Sequence, residues 1–283
     1  VALLYFVTRI LAELTGLPGR VRAWRSRKQA NACLKMERDA HIAFAEGRYQ
    51  RAEKLAGEAM AASRNNESFA VNALLAARAA HMIRDFERRD QHFEALRQRL
   101  GTADLASAMT MAELYLDERR YTEANRALEQ VRAISPKLTA AMRLELRLRQ
   151  AEGNPDAVLK LVEQLVRADA LDDEQFRRLH SHACLQKLRQ QQMSLKELNE
   201  WWRRLPAEDR SQAQLVLALA DSYMALDEPD LARTAIEAAL DSNWSSELIE
   251  RYGALSLADD ALTKQLAKAE SWLASQPNDH LLL

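Results

Sequence analysis

Apolar positions along the chain recur at the three- and four-residue spacing of helices, and short polar turns interrupt them from about residue 31 onward. One turn shows the frame clearly, with Gly47, Tyr49 and Ala52 at its first, third and sixth positions. Residues at i, i+3, i+4 and i+7 lie on one side of a helix, so each stretch has an apolar face to bury. The pattern predicts a helix on either side of each turn, repeated along the chain.

The turn frame recurs at a nearly constant period. Its third position is an aromatic residue or proline at Tyr49, Phe86, Tyr121, Pro155 and Pro229, which lie 37, 35, 34 and 74 residues apart. The last interval is twice 37 and predicts another turn near residue 192, where Ser194 and Glu197 have capping-box spacing. Residues 245–257 and 260–274 are predicted to form one more helix pair.

Further cap signals mark predicted helix starts. The pairs are Asn154 with Pro155, Asp172 with Gln175, and Ser211 with Gln214. A cap side chain accepts from N–H groups that have no partner within the helix, and proline suits the first helical position. We therefore expect a helix to begin directly after Asn154, Asp172 and Ser211.

The period and the frame resemble those of the tetratricopeptide repeat, whose unit is about 34 residues. Before its turn, that repeat has a small residue followed three positions later by an aromatic or small one. This chain has Ala40 with Ala43, Ala77 with Ala80, Ala112 with Tyr115, and Ala220 with Tyr223. The resemblance covers roughly residues 33–275. It implies an all-α, right-handed α-solenoid of about six helix pairs, assigned to residues 31–283, because a single pair cannot bury its apolar face alone.

Composition supports an all-helical protein. Hydrophobic residues make up 48% of the 283 residues, but the chain has only 7 Gly and 6 Pro. Such low glycine and proline usage argues against β-rich and dinucleotide-binding folds, which need many tight turns. Two cysteines, Cys33 and Cys184, cannot form a disulfide framework and are interpreted as buried thiols in a reducing compartment.

The N-terminal segment carries most of the charge asymmetry. The net charge of the chain is −1, yet residues 1–28 contain six basic residues and Glu13 alone as an acid. Seven apolar residues open the chain, too few to span a membrane, for which about 20 are needed. We interpret residues 1–30 as the end of a transmembrane helix and a basic segment that faces the cytoplasm. Its membrane-proximal cations are Arg20, Arg22, Arg25, Arg27 and Lys28.

An alternative for this segment is a solvated amphipathic helix. Under the membrane interpretation, Trp24 suits the interface between lipid and water, and the cations face anionic lipid headgroups. The last residues, which end on three leucines, are predicted to belong to a further helix. We therefore expect the sequence to be truncated at both ends.

No catalytic or phosphate-binding motif is present in the sequence, so we predict that the protein is not an enzyme. The one candidate cluster is His180, His182 and Cys184, of which His180 and Cys184 share a helix face. Zinc would need one or two more ligands from another segment, whereas haem would need only one. The favoured interpretation is a buried thiol beside two surface imidazoles.

The repeat resemblance also implies a ligand surface, because the concave face of such solenoids is lined by the first helix of each pair. Mapped by phase, the partner-binding positions are His41, Phe44, Leu74, Arg78, His81, Met109, Glu113, Arg143, Arg147 and Asp221. Arginine and histidine among apolar residues suit an acidic peptide or a flat, anionic, apolar ligand. The alternative is a solvated face without a fixed ligand.

Several segments together resemble the proteobacterial HemY-type family. They are LLYFVTRIL, LPGRVRAWRSRK, AFAEGRYQRAEKLA, LIERYG and AESWLASQPNDHLLL. The resemblance implies an inner-membrane scaffold, with its repeats in the cytoplasm, that binds proteins such as late haem-pathway enzymes and no nucleic acid. It implies no resident cofactor, although haem or porphyrin is kept as a possible ligand.

Two other functions remain open. One is a haem or metal carrier that uses His180, Cys184 or His81 as a ligand. The other is a membrane-anchored repeat protein that regulates lipopolysaccharide assembly. A porphyrinogen oxidase that shares the HemY name needs a glycine-rich dinucleotide motif, which this sequence lacks.

Overall fold

The computed structural model describes residues 24, 27–101, 104–190, 193–255, 259–276 and 280. The chain divides into two compact units, residues 1–144 and 145–283, which are considered separately below. All regular secondary structure in the described ranges is helical, which confirms the predicted all-α class.

The helices follow one another with short connections. Helix α1 covers residues 27–45. The others are α2 Tyr49–Ala62, α3 Asn66–Met82, α4 Phe86–Leu100, α5 Leu105–Asp117, α6 Tyr121–Ile134, α7 Thr139–Ala151, α8 Pro155–Arg167, α9 Asp173–Gln190, α10 Leu195–Arg204, α11 Ala207–Arg210, α12 Ala213–Ala225, α13 Pro229–Ser242, α14 Ser246–Gly253 and α15 Asp259–Ser275.

Within the described ranges, these helices follow one another as seven pairs plus the single-turn α11. The sequence predicted about six pairs. We call the members of a pair its first and second helix. The extra pair, α14 with α15, corresponds to the pair predicted at 245–274. The assignment of residues 31–283 to one solenoid stays a prediction.

The turns within the pairs share one backbone geometry. Five second helices start at the predicted aromatic or proline positions, Tyr49, Phe86, Tyr121, Pro155 and Pro229, which confirms the frame. Two residues earlier, the backbone is left-handed, at Gly47, Arg84, Arg119, Gly153 and Asp227. At the first turn, Arg48 N–H donates to the carbonyl of Ala43 at 2.8 Å, as in a Schellman motif. The turn therefore satisfies carbonyls that the end of the first helix leaves without partners.

Most of the predicted caps are confirmed, and one is wrong. Asn154 and Asp172 accept from the N–H groups of Ala157 and Gln175, and Ser194 forms the full capping box with Glu197. Ser211 does not cap α12, because it is the C-cap residue of α11 and α12 starts only at Ala213, after Gln212. The Ser211 hydroxyl instead donates to the carbonyl of Glu208 at 2.8 Å.

Alanine dominates the core of the first unit. Ala40 of α1, Ala52 and Ala56 of α2, and Ala77 and Ala80 of α3 are fully buried. Small side chains let helix axes approach to the lower end of the usual 8–10 Å range. Larger groups close the gaps between these contacts, among them Phe69, Phe93 and Leu96.

The second unit has a larger and more aliphatic core. Its members include Leu188, Leu198, Leu219, Ile236 and Leu248. Trp272 of α15 is buried against Trp244 and Tyr252, with ring centroids 5.8 and 5.1 Å away. This aromatic cluster holds the last helix pair to the rest of the unit.

Two glycines of the first pair test the turn geometry. We expect Gly47→Ala to destabilise the protein by about 1 kcal/mol, because an L-residue is strained in the left-handed region. No atom lies within 4 Å of the alanine Cβ at position 47, so backbone conformation alone accounts for the loss.

Gly57→Ala is the matched control, since its Cβ also meets nothing within 4 Å but position 57 is helical. It should stabilise by about 0.5–1 kcal/mol. Urea unfolding followed by circular dichroism measures both variants. Equal effects of the two substitutions would contradict the proposed strain.

Candidate functional site

The ten predicted partner-binding residues differ in exposure. The exposed members are His41, Arg143, Arg147 and Asp221. The partly buried ones are Phe44, Leu74, Arg78, His81, Met109 and Glu113. The predicted surface is therefore part solvent-facing and part interior, and its role in partner binding stays a prediction.

Arg78 and Glu113 are the predicted residues that the structure brings into direct contact. Arg78 Nη2 lies 2.8 Å from Glu113 Oε2, and the two side chains are 43% and 39% exposed. They come from α3 and α5, the first helices of neighbouring pairs. One repeat length thus places equivalent positions side by side. At this exposure the pair contributes little to stability and remains accessible to a ligand.

Other predicted residues point into the interior. The Phe44 ring packs edge-on to that of Tyr49, with centroids 5.3 Å apart, and also contacts the alanine core. Leu74 packs against the cluster around Phe69. His81 lies beside Glu118, with Nδ1 3.3 Å from Oε1 and only 12% of either side chain exposed. These three side chains therefore contribute to the packing of the interior in addition to the predicted partner-binding surface.

The most unusual site was not predicted from the sequence. Arg89 of α4 is fully buried, and its guanidinium contacts Glu118 and Asp90. The guanidinium carbon lies 5.2 Å from the centroid of the Phe86 ring and 5.1 Å from that of Tyr115. We call this set, with His81, the Arg89 cluster. It joins α3, α4 and α5 to the turn before α6.

The turn frame in the sequence contains a residue from which this cluster could have been predicted. Three residues after the aromatic or proline position come Ala52, Ala124, Val158 and Ala232, all buried. The same position after Phe86 is Arg89. A long cation where the other turns have a small apolar side chain must find buried counter-charges, because an unpaired buried charge is very costly.

Electrostatics in the cluster follows from burial. Desolvation, together with the positive charge of Arg89, lowers the pKa of His81, so the imidazole is neutral at pH 7. Desolvation, with the negative charge of Asp90, raises the pKa of Tyr115. The cluster contains a cation, two carboxylates and neutral rings that bind one another. This arrangement is suited to connecting α3, α4 and α5 with the turn before α6 rather than to activating a nucleophile.

The candidate His180–Cys184 pair is also buried. His180 Nδ1 lies 3.0 Å from Asp209 Oδ2 and 3.7 Å from the Cys184 sulfur. The prediction of a surface imidazole at position 180 is wrong, because the side chain packs against the ring of Phe176 and carboxylate of Asp209. His182 is exposed, as predicted.

Cys184 has the character of a core thiol. It is fully buried, and desolvation raises its pKa to about 12, so it stays protonated. Thiolates are the nucleophiles and metal ligands, and this environment disfavours them. Among the described residues, no group of three or more His, Cys, Asp or Glu side chains is arranged to hold a metal ion.

Asp221 borders a cavity of about 620 Å³ in the second unit. Leu188, Met193, Leu198 and Leu226 form much of its apolar wall. The Asp221 carboxylate pairs with Arg251 at 2.5 Å. The predicted surface residue therefore borders a space with both polar and apolar walls, and its carboxylate already has a partner.

The predicted membrane-proximal cations are only partly within the described residues. Arg27 and Lys28 are exposed on α1. Arg20, Arg22, Arg25 and the predicted end of a membrane span lie outside the described residues. Within those residues, none of the helices combines the length and apolarity that crossing a membrane requires.

Comparison with known proteins gives consistent matches. The family described as HemY protein N-terminus matches residues 1–84. Protein HemY of Escherichia coli strain K12 is 24% identical over 249 residues, which are 87% of this chain and 62% of the relative. Protein HemY of Shigella flexneri matches with the same figures. The chain thus spans 62% of the length of these curated relatives.

One solved structure also matches. It is a tetratricopeptide repeat protein from Parabacteroides merdae, 12% identical, with a TM-score of 0.44 and 83% of each chain covered.

The repeated helix pairs, their shared left-handed turn and their alanine contacts define an all-α architecture of repeated helix pairs in the described ranges. Through the match of residues 1–84 to the HemY N-terminal family and the matches to curated HemY proteins, the chain is similar to HemY-type proteins.

The Arg89 cluster makes a prediction about stability. We expect Arg89→Ala to cost about 3 kcal/mol, although small apolar residues occupy the equivalent turns, because Glu118 would lose its buried cation and keep only neutral His81 and the more distant Arg120, 3.7 Å away. Adding Glu118→Leu should recover much of the loss. Urea unfolding measures the free energies.

Arg97→Ala is the matched control on the same helix, since Arg97 is 60% exposed and pairs with the partly exposed Glu94. Its cost should stay below about 1 kcal/mol. If Arg89→Ala lowered the free energy of unfolding by no more than Arg97→Ala does, the Arg89 cluster would not stabilise the contact between α3, α4 and α5.

His81 makes a prediction about pH. Its native pKa lies below the unfolded value, so unfolding takes up a proton. Its contribution to stability is therefore complete above the unfolded pKa of about 6.5 and declines as the pH falls below it. His81→Gln should reduce the loss of stability between about pH 7 and pH 5. Exposed His182→Gln is the control, and thermal unfolding at each pH is the measurement. An unchanged pH profile in His81→Gln would contradict the assignment.

Proposed function

We propose that the protein is a membrane-attached, non-enzymatic scaffold linked to haem biosynthesis. In this proposal it binds partner proteins through the exposed faces of its first helices. The link to haem biosynthesis comes from the resemblance to the HemY-type family. Membrane attachment is proposed from the basic N-terminal segment, with the repeats on the cytoplasmic side.

The contact between Arg78 and Glu113 carries the proposal. These residues are 35 positions apart, one repeat, and their side chains meet at 2.8 Å while both remain partly exposed. Equivalent positions on the first helices α3 and α5 therefore lie side by side, and we call the exposed side of these two helices the first-helix strip. Such a strip suits an extended peptide segment, which needs contacts spaced along its length.

Charge on the predicted partner-binding positions of the first unit favours a polar partner segment. His41 is exposed on α1, Arg78 is partly exposed on α3, and Arg143 is exposed on α7. Guanidinium groups bind carboxylates through paired hydrogen bonds. We therefore propose that the partner segment carries acidic side chains.

The described histidines favour a scaffold over a haem carrier. His81 and His180 lie against the carboxylates of Glu118 and Asp209. Cys184 is a buried, protonated thiol. Binding of iron at any of the three would require a buried contact to be exchanged, whereas peptide binding on the first helices requires no such change.

The test is an affinity purification of the protein from detergent-solubilised bacterial membranes, followed by mass spectrometry. The test variant is Arg78→Gln/Glu113→Gln, which removes both members of a pair and leaves no unpaired charge. We expect haem-biosynthesis enzymes to be recovered with the wild-type protein and reduced about tenfold, equivalent to about 1.4 kcal/mol, with the variant.

The matched control is Arg126→Gln/Glu129→Gln, an exposed pair of opposite charges on the second helix α6. It should leave recovery unchanged. The proposal fails if the wild-type protein recovers no haem-biosynthesis enzyme, or if both variants recover as much as the wild type.

A further inference from the structure

Helix α1 has two unlike faces. One face is packed, with Cys33, Ala40 and Ala43 buried against the first unit. The opposite face is open along the helix. Its exposed residues recur with helical periodicity, and they are Arg27, Lys28, Asn31, Leu34, Lys35, Arg38 and Ile42. We call this set, together with exposed Trp24, the outer face of α1.

The outer face is strongly cationic. Arg27, Lys28, Lys35 and Arg38 lie on it. The acids within residues 27–45 are Glu37 and Asp39, and both are partly buried. Glu37 accepts a hydrogen bond from the amide of buried Asn72 at 3.3 Å, which turns it away from the open side. Arg38 Nε lies 3.9 Å from Asp39 Oδ1, so Asp39 offsets one of the four cations and the face keeps an excess of positive charge.

Large apolar side chains stand among these cations. Trp24, Leu34 and Ile42 are 60%, 60% and 49% exposed. The Lys28 ammonium lies 5.3 Å from the centroid of the Trp24 ring. Exposing these groups to water is unfavourable, and their arrangement along a helix creates a stripe about 22 Å long between Arg27 and Ile42. A long, straight, mixed surface of this kind fits a flat partner.

We infer that the outer face of α1 lies along an anionic lipid surface. Lysine and arginine can extend their charged ends to the headgroups, while their aliphatic stems and the neighbouring Leu34 and Ile42 lie closer to the acyl chains. Tryptophan prefers the boundary between lipid and water. Charge complementarity selects anionic over neutral lipid, and the face continues the basic segment that begins at Arg20.

This inference extends the proposed membrane attachment into the first repeat. In the proposed function, the basic segment up to Lys28 stands next to the membrane. Here Lys35, Arg38 and Ile42, which belong to the first helix pair, also contact it. The first pair would then lie on the lipid with α1 against it. The first-helix strip, which contains Arg78 of α3 and Glu113 of α5, would remain a separate surface for partners.

The experiment measures binding of the whole 283-residue chain to vesicles. One set is phosphatidylcholine alone, and the other is phosphatidylcholine mixed with phosphatidylglycerol. The test variant is Lys35→Gln/Arg38→Gln. A basic residue near anionic lipid contributes about fivefold in affinity, so the double variant should bind the mixed vesicles about 25-fold more weakly.

The matched control is Arg51→Gln/Lys54→Gln on α2, which has the same spacing, exposure and change in net charge. It should bind like the wild type. A second variant, Leu34→Ser/Ile42→Ser, should also weaken binding to mixed vesicles but leave binding to duplex DNA unchanged. All these side chains are exposed, so circular dichroism should show an unaltered fold.

A third measurement places the face at the membrane. Brominated lipids should quench tryptophan fluorescence of the wild type, and Trp24→Phe should lose most of that quenching. The inference is overturned if the α1 and α2 variants bind equally. It is also overturned if neutral vesicles bind as tightly as mixed ones, or if DNA or an acidic peptide outcompetes the mixed vesicles. No partner protein is present, so a negative result leaves the proposed partner binding unaffected.

Discussion

Close approach between helices is the constraint on which the structure depends. A single helix pair exposes too much apolar surface to be stable alone, and it gains stability only by stacking on its neighbours. Fully buried alanines such as Ala40, Ala52 and Ala77 make that approach possible in the first unit. The left-handed turn sets the direction in which each second helix returns. Residues of equivalent phase then fall side by side, as Arg78 and Glu113 do.

Arg89 shows how the same constraint admits an exception. Where other turns bury a small apolar side chain, this one buries a guanidinium, and the surrounding side chains compensate with carboxylates and aromatic faces. A buried ion pair adds less stability than a well-packed apolar core, but it tolerates few alternative neighbours. The cluster therefore makes this joint in the stack distinct from the others.

The described chemistry separates the surfaces of the protein by task. His81, His180 and the Cys184 thiol are engaged with neighbouring groups in the interior. The proposed function assigns peptide binding to the exposed sides of the first helices, and the inference about lipid concerns the outer face of α1. The two proposed surfaces follow from helix periodicity, because a helix that packs on one side exposes its opposite side to solvent or to a partner.

Periodicity along the sequence determined the helical class, the period and the starts of most second helices, because these depend on local backbone preferences. Gly47 and Tyr49 mark a turn wherever the rest of the chain lies, and Asn154 caps a helix with its own side chain. Tertiary structure alone decided the partners of His81 and Arg89. Those outcomes depend on which side chains from distant segments share a buried space, and that is set by packing rather than by spacing along the chain.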